Sequence, residues 1–392
     1  MKRVYLDYQN SAILHPEVLE SIRKGMTLVG NPSSVHAEGR ASAQVVEESR
    51  VRVAGLVSSM SSEIIFTSGG TEANALALAG LSRAAQAQKK GRHLVISAVE
   101  HLSVLQMARF LEKEGFSVTH LPVDRCGQVD PGSLEAVLTP ETVLVSVQWA
   151  NPEVGTVQPI AELVRLAKKR KILFHTDAVG AAGQIPLSVQ EVPADALTFA
   201  ANTFGGPGGV GALFLRKGTR ILPFLFGGAQ EDGRRAGTEN LLGIIGMGYA
   251  AEAARKRLPD LGERLIPLRD RLIHGILNKI PEATLNGHPI QRLPGHASFS
   301  FPGLDAEEAV LILDREGVAV GLGSACSKMT MKASHVLKAM GIEEQRALGT
   351  ITCTLSTGIA PDEVDTAVEV IAHVVNNRLS GQKRALSPQG RG

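Results

Sequence analysis

Residues 195–216 are Asp195-Ala-Leu-Thr-Phe-Ala-Ala-Asn-Thr-Phe-Gly-Gly-Pro-Gly-Gly-Val-Gly-Ala-Leu-Phe-Leu-Arg216. The pattern predicts an apolar strand, a glycine-rich turn and a second apolar strand, with Asn202 and Thr203 at the entrance of the turn. Glycine permits backbone contacts that a Cβ forbids, so such a turn suits close approach to a ligand. The upstream run Lys171-Ile-Leu-Phe-His-Thr-Asp-Ala178 predicts another buried strand that ends in an acid. A carboxylate there usually points into the crevice of an α/β sheet.

The length and composition of the chain are those of a soluble globular protein. Its 392 residues suffice for two domains or for one large α/β domain with an appendage. The hydrophobic fraction is 44% and the net charge is +2, which carries no footprint of nucleic acid or of an anionic membrane. Three cysteines form neither a disulfide framework nor a Cys-x-x-Cys pair. We therefore expect a cytoplasmic protein without a bound metal.

A second signal lies in Glu63-Ile-Ile-Phe-Thr-Ser-Gly-Gly-Thr-Glu-Ala-Asn-Ala-Leu-Ala-Leu78. A strand runs into Gly69, Gly70 and Thr71, and an Ala/Leu-rich helix follows. The free backbone N–H groups and the hydroxyl at this helix N-terminus attract phosphate. The residues alone leave two alternatives, a phosphate site or an ordinary strand-to-helix turn.

Two further side chains are candidates for chemistry. His101 follows Glu100 at the end of an apolar strand, a position that is more often structural than catalytic. Cys326 lies in the loop Gly321-Leu-Gly-Ser-Ala-Cys-Ser327, where it is neither in a strand nor packed, and a cysteine thiolate is a strong nucleophile. We favour a functional role for Cys326 and a structural one for Cys126 and Cys353.

The strands around the glycine-rich turn resemble the core of the fold-type I, class V aminotransferases that use pyridoxal phosphate (PLP), and specifically the cysteine desulfurases. In that family the acid after the first strand contacts the pyridine nitrogen, and a Ser-x-His-Lys run supplies the Schiff-base lysine. Asp177 matches the acid. The serine, histidine and lysine positions fall on Ala200, Asn202 and Thr203.

The resemblance implies roles for other residues of the site. The family's Ser-Gly-x-Thr-Glu motif assigns Gly70 and Thr71 to the cofactor phosphate. A histidine at the position of His101 stacks on the cofactor ring and handles protons. Asn151, in Asn151-Pro-Glu-Val-Gly155, corresponds to a hydrogen-bond partner of the cofactor's phenolic oxygen, with Pro152 in place of a second asparagine.

Two loops that are similar to family loops imply a partner subunit and a sulfur carrier. Phe226-Gly-Gly-Ala-Gln-Glu-Asp-Gly-Arg-Arg-Ala-Gly-Thr-Glu-Asn240 matches a loop that reaches across a dimer interface toward the partner's phosphate site, and it keeps Thr238. The resemblance therefore implies a homodimer. The Gly-Ser-x-Cys loop assigns Cys326 as the nucleophile that attacks the substrate's sulfur and carries the persulfide.

The chain departs from the family pattern in one pocket. Thr203 replaces the lysine that moves the proton at the substrate Cα, and loss of a general base alone costs roughly 10²–10⁴ in rate. Thr357 replaces the arginine that clamps the substrate carboxylate, a charge-assisted hydrogen bond of about 1.5–3 kcal/mol. Gly180 replaces a glutamine three residues after the acid.

From these motifs we predict an α/β protein of the PLP-transferase fold type I. A large domain over residues 15–255 would hold a mainly parallel seven-stranded sheet. Residues 1–14 and 256–380 would form a smaller α+β domain, and residues 381–392 a flexible tail.

Two functions from different classes remain open. The first is sulfur mobilisation from L-cysteine through a Cys326 persulfide toward iron–sulfur cluster assembly, with PLP held non-covalently. The second is an inactive relative that acts as a scaffold or a sulfur-delivery partner, which the number of pocket changes favours. An α/β protein with unrelated chemistry is disfavoured by the number and order of the motifs. Direct cluster ligation is weaker still, since clusters usually take four cysteines.

Overall fold

The computed structural model of the chain describes residues 3–323 and 333–386, without the side chains of 381–386. Its strands are β1 Val4–Leu6, β2 Ile64–Thr67, β3 His93–Ser97, β4 Ser117–Leu121, β5 Thr142–Ser146, β6 Leu173–Asp177, β7 Ala196–Ala200, β8 Gly211–Leu215, β9 Thr284–Asn286, β10 His296–Ser300, β11 Val318–Leu322 and β12 Thr350–Thr354. Its helices are α1 Pro16–Gly25, α2 Ala37–Leu56, α3 Gly70–Ala87, α4 Leu102–Lys113, α5 Pro131–Val137, α6 Ile160–Lys169, α7 Leu241–Lys279, α8 Ala306–Arg315, α9 His335–Ala339, α10 Glu344–Leu348 and α11 Pro361–Leu386.

The larger sheet has seven strands in the order β2-β8-β7-β6-β5-β3-β4. Strands β4, β3, β5, β6 and β7 are mutually parallel, and β8 runs antiparallel to both of its neighbours. This arrangement confirms the mainly parallel seven-stranded sheet expected from the sequence. Every residue of β3, β5, β7 and β8 is buried, as expected for a sheet covered on both faces by helices.

The glycine-rich turn between β7 and β8 allows two backbone segments to touch. A Cβ on Gly211, the first residue of β8, would lie 2.7 Å from the Cα of Gly69. Because Gly69 precedes α3, strand β8 can pair with β2 only if position 211 has no side chain. The turn therefore fixes the start of α3 against the strands that carry the site.

The smaller sheet has the order β1-β11-β12-β10-β9 and packs on α8 and α11. The 39-residue helix α7 joins the two parts of the molecule. Its residues up to Ala254 pack into the core of the larger sheet, and those from Leu261 onward pack into the core of the smaller one. Helix α11 continues to Leu386, into the segment for which the sequence predicts a tail.

A buried ion pair fastens the loop before α7 to the edge of the larger sheet. Arg50 on α2 donates two hydrogen bonds to the Glu231 carboxylate, at 2.7 and 2.9 Å. The same carboxylate accepts the backbone N–H of Phe66 at 3.0 Å, and its side chain is only 2% exposed. The buried Glu231 carboxylate therefore holds the loop from 226 to 240 against β2.

We expect Glu231→Gln to destabilise the fold, because it removes the buried counter-charge of the Arg50 guanidinium and leaves only the exposed Glu47 carboxylate to pair with it. Breaking a buried pair in this way costs about 3–5 kcal/mol. Thermal unfolding followed by circular dichroism should show a clearly lower midpoint. Glu20→Gln is the control, because Glu20 pairs with Arg23 on the exposed face of α1. Equal midpoints for the two variants would contradict a structural role for the buried pair.

Candidate active site

Four of the residues predicted for the site border one cavity at the carboxyl ends of the central strands. This strand-end cavity has a volume of about 190 Å³ and is bordered by Gly70, Thr71, His101 and Asp177. Ala200 and Asn202, at the serine and histidine positions of the resemblance, also border it. The parallel strands β5, β6 and β7 all end at this edge, which is where open α/β sheets bind ligands.

The Asp177 carboxylate lies at the end of β6 and is 5% exposed. Its Oδ1 accepts the backbone N–H of Val179 at 2.9 Å, and its Oδ2 accepts Nδ2 of Asn74 at 2.7 Å. Both partners are neutral donors. Among the described residues, no lysine or arginine borders the strand-end cavity beside this carboxyl group.

A line of hydrogen bonds connects Asp177 to His101. Asn74 Nδ2 donates to Ser103 Oγ at 2.9 Å as well as to Asp177. Ser103 Oγ lies 2.8 Å from Nδ1 of His101, and the Ser103 backbone N–H donates to the same nitrogen at 3.1 Å. Because Nδ1 accepts hydrogen bonds, the neutral ring carries its proton on Nε2. Proton exchange between His101 and a ligand would involve Nε2.

The N-terminus of α3 supplies the electropositive end of the strand-end cavity. The helix begins at Gly70, and the backbone N–H groups of its first turn have no helical acceptors. A Cβ on Gly70 would lie 2.7 Å from Cγ2 of Val179, so only glycine fits there without displacing Val179. Glu72 in the same turn is turned to Arg235, with an Oε1–Nε distance of 2.7 Å. That ion pair reduces the negative charge near the cavity.

A larger cavity of about 620 Å³ adjoins this one and lies between the two sheets. This interdomain cavity is bordered by residues of both parts of the chain, among them Glu100, Glu153 and His335. His101 and Asn202 border both cavities, and Thr203 borders the larger one. The two cavities are therefore adjoining parts of one cleft.

Two glutamates of the interdomain cavity are protonated more readily than usual. Burial raises the pKa of Glu100 to about 8, and the nearby Asp177 charge adds to this effect. Its Oε1 accepts Gln148 N at 2.8 Å and Ser97 Oγ, whereas its Oε2 has no partner among the described residues. Burial likewise raises the pKa of Glu153 to about 7, although Ser334 Oγ donates to it at 2.5 Å.

We expect Glu100→Gln to stabilise the protein at pH 8 and to have little effect near pH 4.5. The folded chain keeps this proton up to about pH 8, whereas the unfolded chain releases it near 4.5. The free energy of unfolding therefore falls as pH rises through that window, by an amount on the order of 5 kcal/mol. Thermal midpoints between pH 5 and 8 measure the effect. Glu112→Gln, on the exposed side of α4, should leave the pH dependence as in the parent.

The other predicted cofactor residues lie in different settings. Asn151 borders the interdomain cavity, where its Oδ1 accepts the N–H groups of Glu153 and Val154 and its Nδ2 donates to Val99 O. Thr203 is 4% exposed and donates its hydroxyl to Ala200 O at 3.0 Å. Thr238 is exposed in the loop before α7 and borders neither cavity of the described chain.

The three cysteines differ in their position and burial. Cys326, the predicted sulfur carrier, lies outside the described residues. Cys353 is fully buried in β12, and burial raises the pKa of its thiol to about 12. Burial also raises the pKa of the partly exposed Cys126. Neither environment favours the thiolate, which is the reactive form.

Sequence reasoning missed Asn74, Ser103 and the two glutamates. Asn74 follows Thr71 by three residues on α3, so helical spacing places it on the same face as the phosphate-binding turn. That signal was present in the sequence. Glu100 and Glu153 belong to the segments around His101 and Asn151. Their burial depends on how the two sheets pack together, and no local sequence pattern indicates it.

Comparison with known proteins defines the class of this site. The profile of the family described as aminotransferase class-V matches residues 4–351. A cysteine desulfurase IscS of Dictyoglomus turgidum is 44% identical over 390 residues, which cover 99% of this chain and 97% of that protein. A cysteine desulfurase IscS of Methanosarcina thermophila is 41% identical over 375 residues, 95% of this chain and 92% of that one.

A solved structure of a NifS-like protein superimposes with a TM-score of 0.89 at 33% identity, over 96% of this chain and all of that one. The chain belongs to the cysteine desulfurase family of class V aminotransferases. Within the described ranges, no helix is both long and apolar enough to span a membrane. The same ranges hold no group of three or more histidine, cysteine or acidic side chains arranged for a metal ion.

The family's cofactor can be tested against the residues of the strand-end cavity. The Asp177 carboxylate and the unpartnered Oδ1 of Asn74 are buried acceptors that suit a pyridine N–H. The N-terminus of α3 suits a phosphate. No lysine borders either cavity among the described residues, so they offer no covalent attachment. The cavity fits PLP as a non-covalent ligand.

Proposed function

We propose that this chain mobilises sulfur from L-cysteine and carries it as a persulfide on Cys326 toward iron–sulfur cluster assembly. The observation that supports it best is the hydrogen-bonded line from Asp177 through Asn74 and Ser103 to His101. It borders the cavity in a chain that is 44% identical to a cysteine desulfurase. We further propose that the chain forms a homodimer in which Thr238 is directed to the partner's phosphate site. The sulfur would pass from the dimer to an acceptor protein.

The residues of the strand-end cavity would hold PLP from three sides. Gly70 and Thr71 would bind its phosphate at the start of α3, Asp177 would accept from its ring nitrogen, and His101 would lie beside the ring. When bound, PLP withdraws electrons from the Cα of an amino acid. His101, with its proton on Nε2, would donate a hydrogen bond to a ligand from that nitrogen, and its doubly protonated form would transfer a proton there.

The overall sulfur transfer balances without an added oxidant or reductant. The Cβ–S bond of L-cysteine breaks, and its sulfur forms an S–S bond with Sγ of Cys326. The carbon skeleton takes up the thiol proton and leaves as alanine. Thr203 contributes no amine to this chemistry, so turnover should be slower than in a lysine-containing relative by about 10²–10⁴.

The test of this function is sulfide release from L-cysteine in the presence of PLP and a reducing thiol. The parent protein should exceed the background of free PLP, and Cys326→Ser should fall to that background because it has no sulfur acceptor. Cys126→Ser is the matched control and should behave as the parent. If sulfide release by the parent protein does not exceed the background, the chain does not turn over L-cysteine, and the scaffold role remains.

We expect Thr203→Lys to bind PLP covalently. Thr203 borders the interdomain cavity, next to the strand-end cavity, so a longer side chain has room to reach the ligand. Desalting after incubation with PLP should leave the coenzyme's visible absorbance on this variant and remove it from the parent. Thr203→Met has similar length without an amine and serves as the control. A variant that is colourless after desalting would show that the cavity does not fit PLP.

A further inference from the structure

A third cavity borders Thr203 on the side away from the other predicted cofactor residues. This Arg257 cavity has a volume of about 220 Å³ and lies between the start of α1, the middle of α7 and the segment after β12. It contains none of Gly70, Thr71, His101 and Asp177. The side chains that give it polar character are Arg257, His15, Gln184, Ser356 and Thr357.

The guanidinium of Arg257 is a partly buried cation for which a bound anion would be a favourable partner. The described residues give it no hydrogen bond and no ion pair; its one attractive partner is the carboxylate of Glu17, which is exposed on α1. Burial lowers the pKa of Arg257, so its surroundings penalise the charge. Arg269 on the same helix instead pairs with Asp270 at 2.8 Å. A half-buried guanidinium without an acceptor is costly, and a bidentate anion removes that cost.

The rest of the cavity adds both neutral polar groups and apolar side chains. Nδ1 of His15 is buried and has no partner among the described residues. The hydroxyl-bearing Ser356 and Thr357 also border the cavity. Leu261, Leu265 and Leu355 form an apolar wall. One cation, neutral polar groups and an apolar wall suit a small organic anion better than a phosphate dianion, which carries more charge and no apolar part.

We propose that this cavity binds a small carboxylate-bearing molecule, and that Arg257 holds the carboxylate. Thr203 borders both this cavity and the interdomain cavity, so the bound molecule would lie beside the cleft in which the sulfur chemistry is proposed. The inference does not require PLP or turnover.

Ligand-observed NMR titrations of the full-length protein without PLP test the proposal. The probes are propionate, L-alanine and ethylamine. Propionate and L-alanine should bind, because both carry the carboxylate, whereas ethylamine should bind at least tenfold more weakly. Equal binding of ethylamine, or no binding of propionate, would each overturn the proposal without any variant.

Arg257→Gln should weaken propionate binding by about tenfold to hundredfold, the range expected for a charge-assisted hydrogen bond. Arg257→Lys keeps the charge but loses the planar pair of donors, so its affinity for propionate should lie between those of Arg257→Gln and the parent. Arg255→Gln removes the same charge from an exposed position two residues away and should bind as the parent. An equal loss in Arg255→Gln, or none in Arg257→Gln, would overturn the role of Arg257. Since no sulfur is measured, these outcomes are independent of the sulfide assay.

Discussion

The site depends on one buried carboxylate and the way it is held. Asp177 receives a hydrogen bond from the backbone of its own strand end and one from Asn74 on α3. These bonds connect the end of β6 to helix α3, which begins at Gly70. Asn74 also reaches Ser103, which orients His101 at the start of α4. A displacement of Asp177 would therefore disturb three elements of the site together, namely β6, α3 and α4.

The electrostatic balance of the cleft differs from what its acidic residues suggest. Glu100 and Glu153 are neutral over part of the ordinary pH range because burial penalises their charged forms. Asp177 keeps two neutral hydrogen-bond donors around it and borders the strand-end cavity. A cofactor with a protonated ring nitrogen would add a charged donor to these two.

The larger sheet and the residues at its strand ends could be predicted because their signals are local. The apolar runs around Asp177 and the turn at residues 204–211 need only neighbouring residues to be recognised. The partners of those residues could not be predicted, because they come from elsewhere in the chain. Arg257 shows this clearly: in the sequence it belongs to a run of charges on a long helix, typical of a solvated face. Its place beside Thr203 follows from how α7 crosses between the two cores.

The helix α7 makes the two parts of the molecule mechanically continuous. Pro259 lies between Ala254 and Leu261, where the helix passes from one core to the other, and it has no N–H to donate to the carbonyl of Arg255. The backbone ladder is thus interrupted at the crossing point, and Pro267 interrupts it again further along the helix. Widening of the cleft between the sheets would bend the helix where it lacks these hydrogen bonds, so the stiffness of the segment from Ala254 to Pro267 governs how readily the cleft admits a molecule.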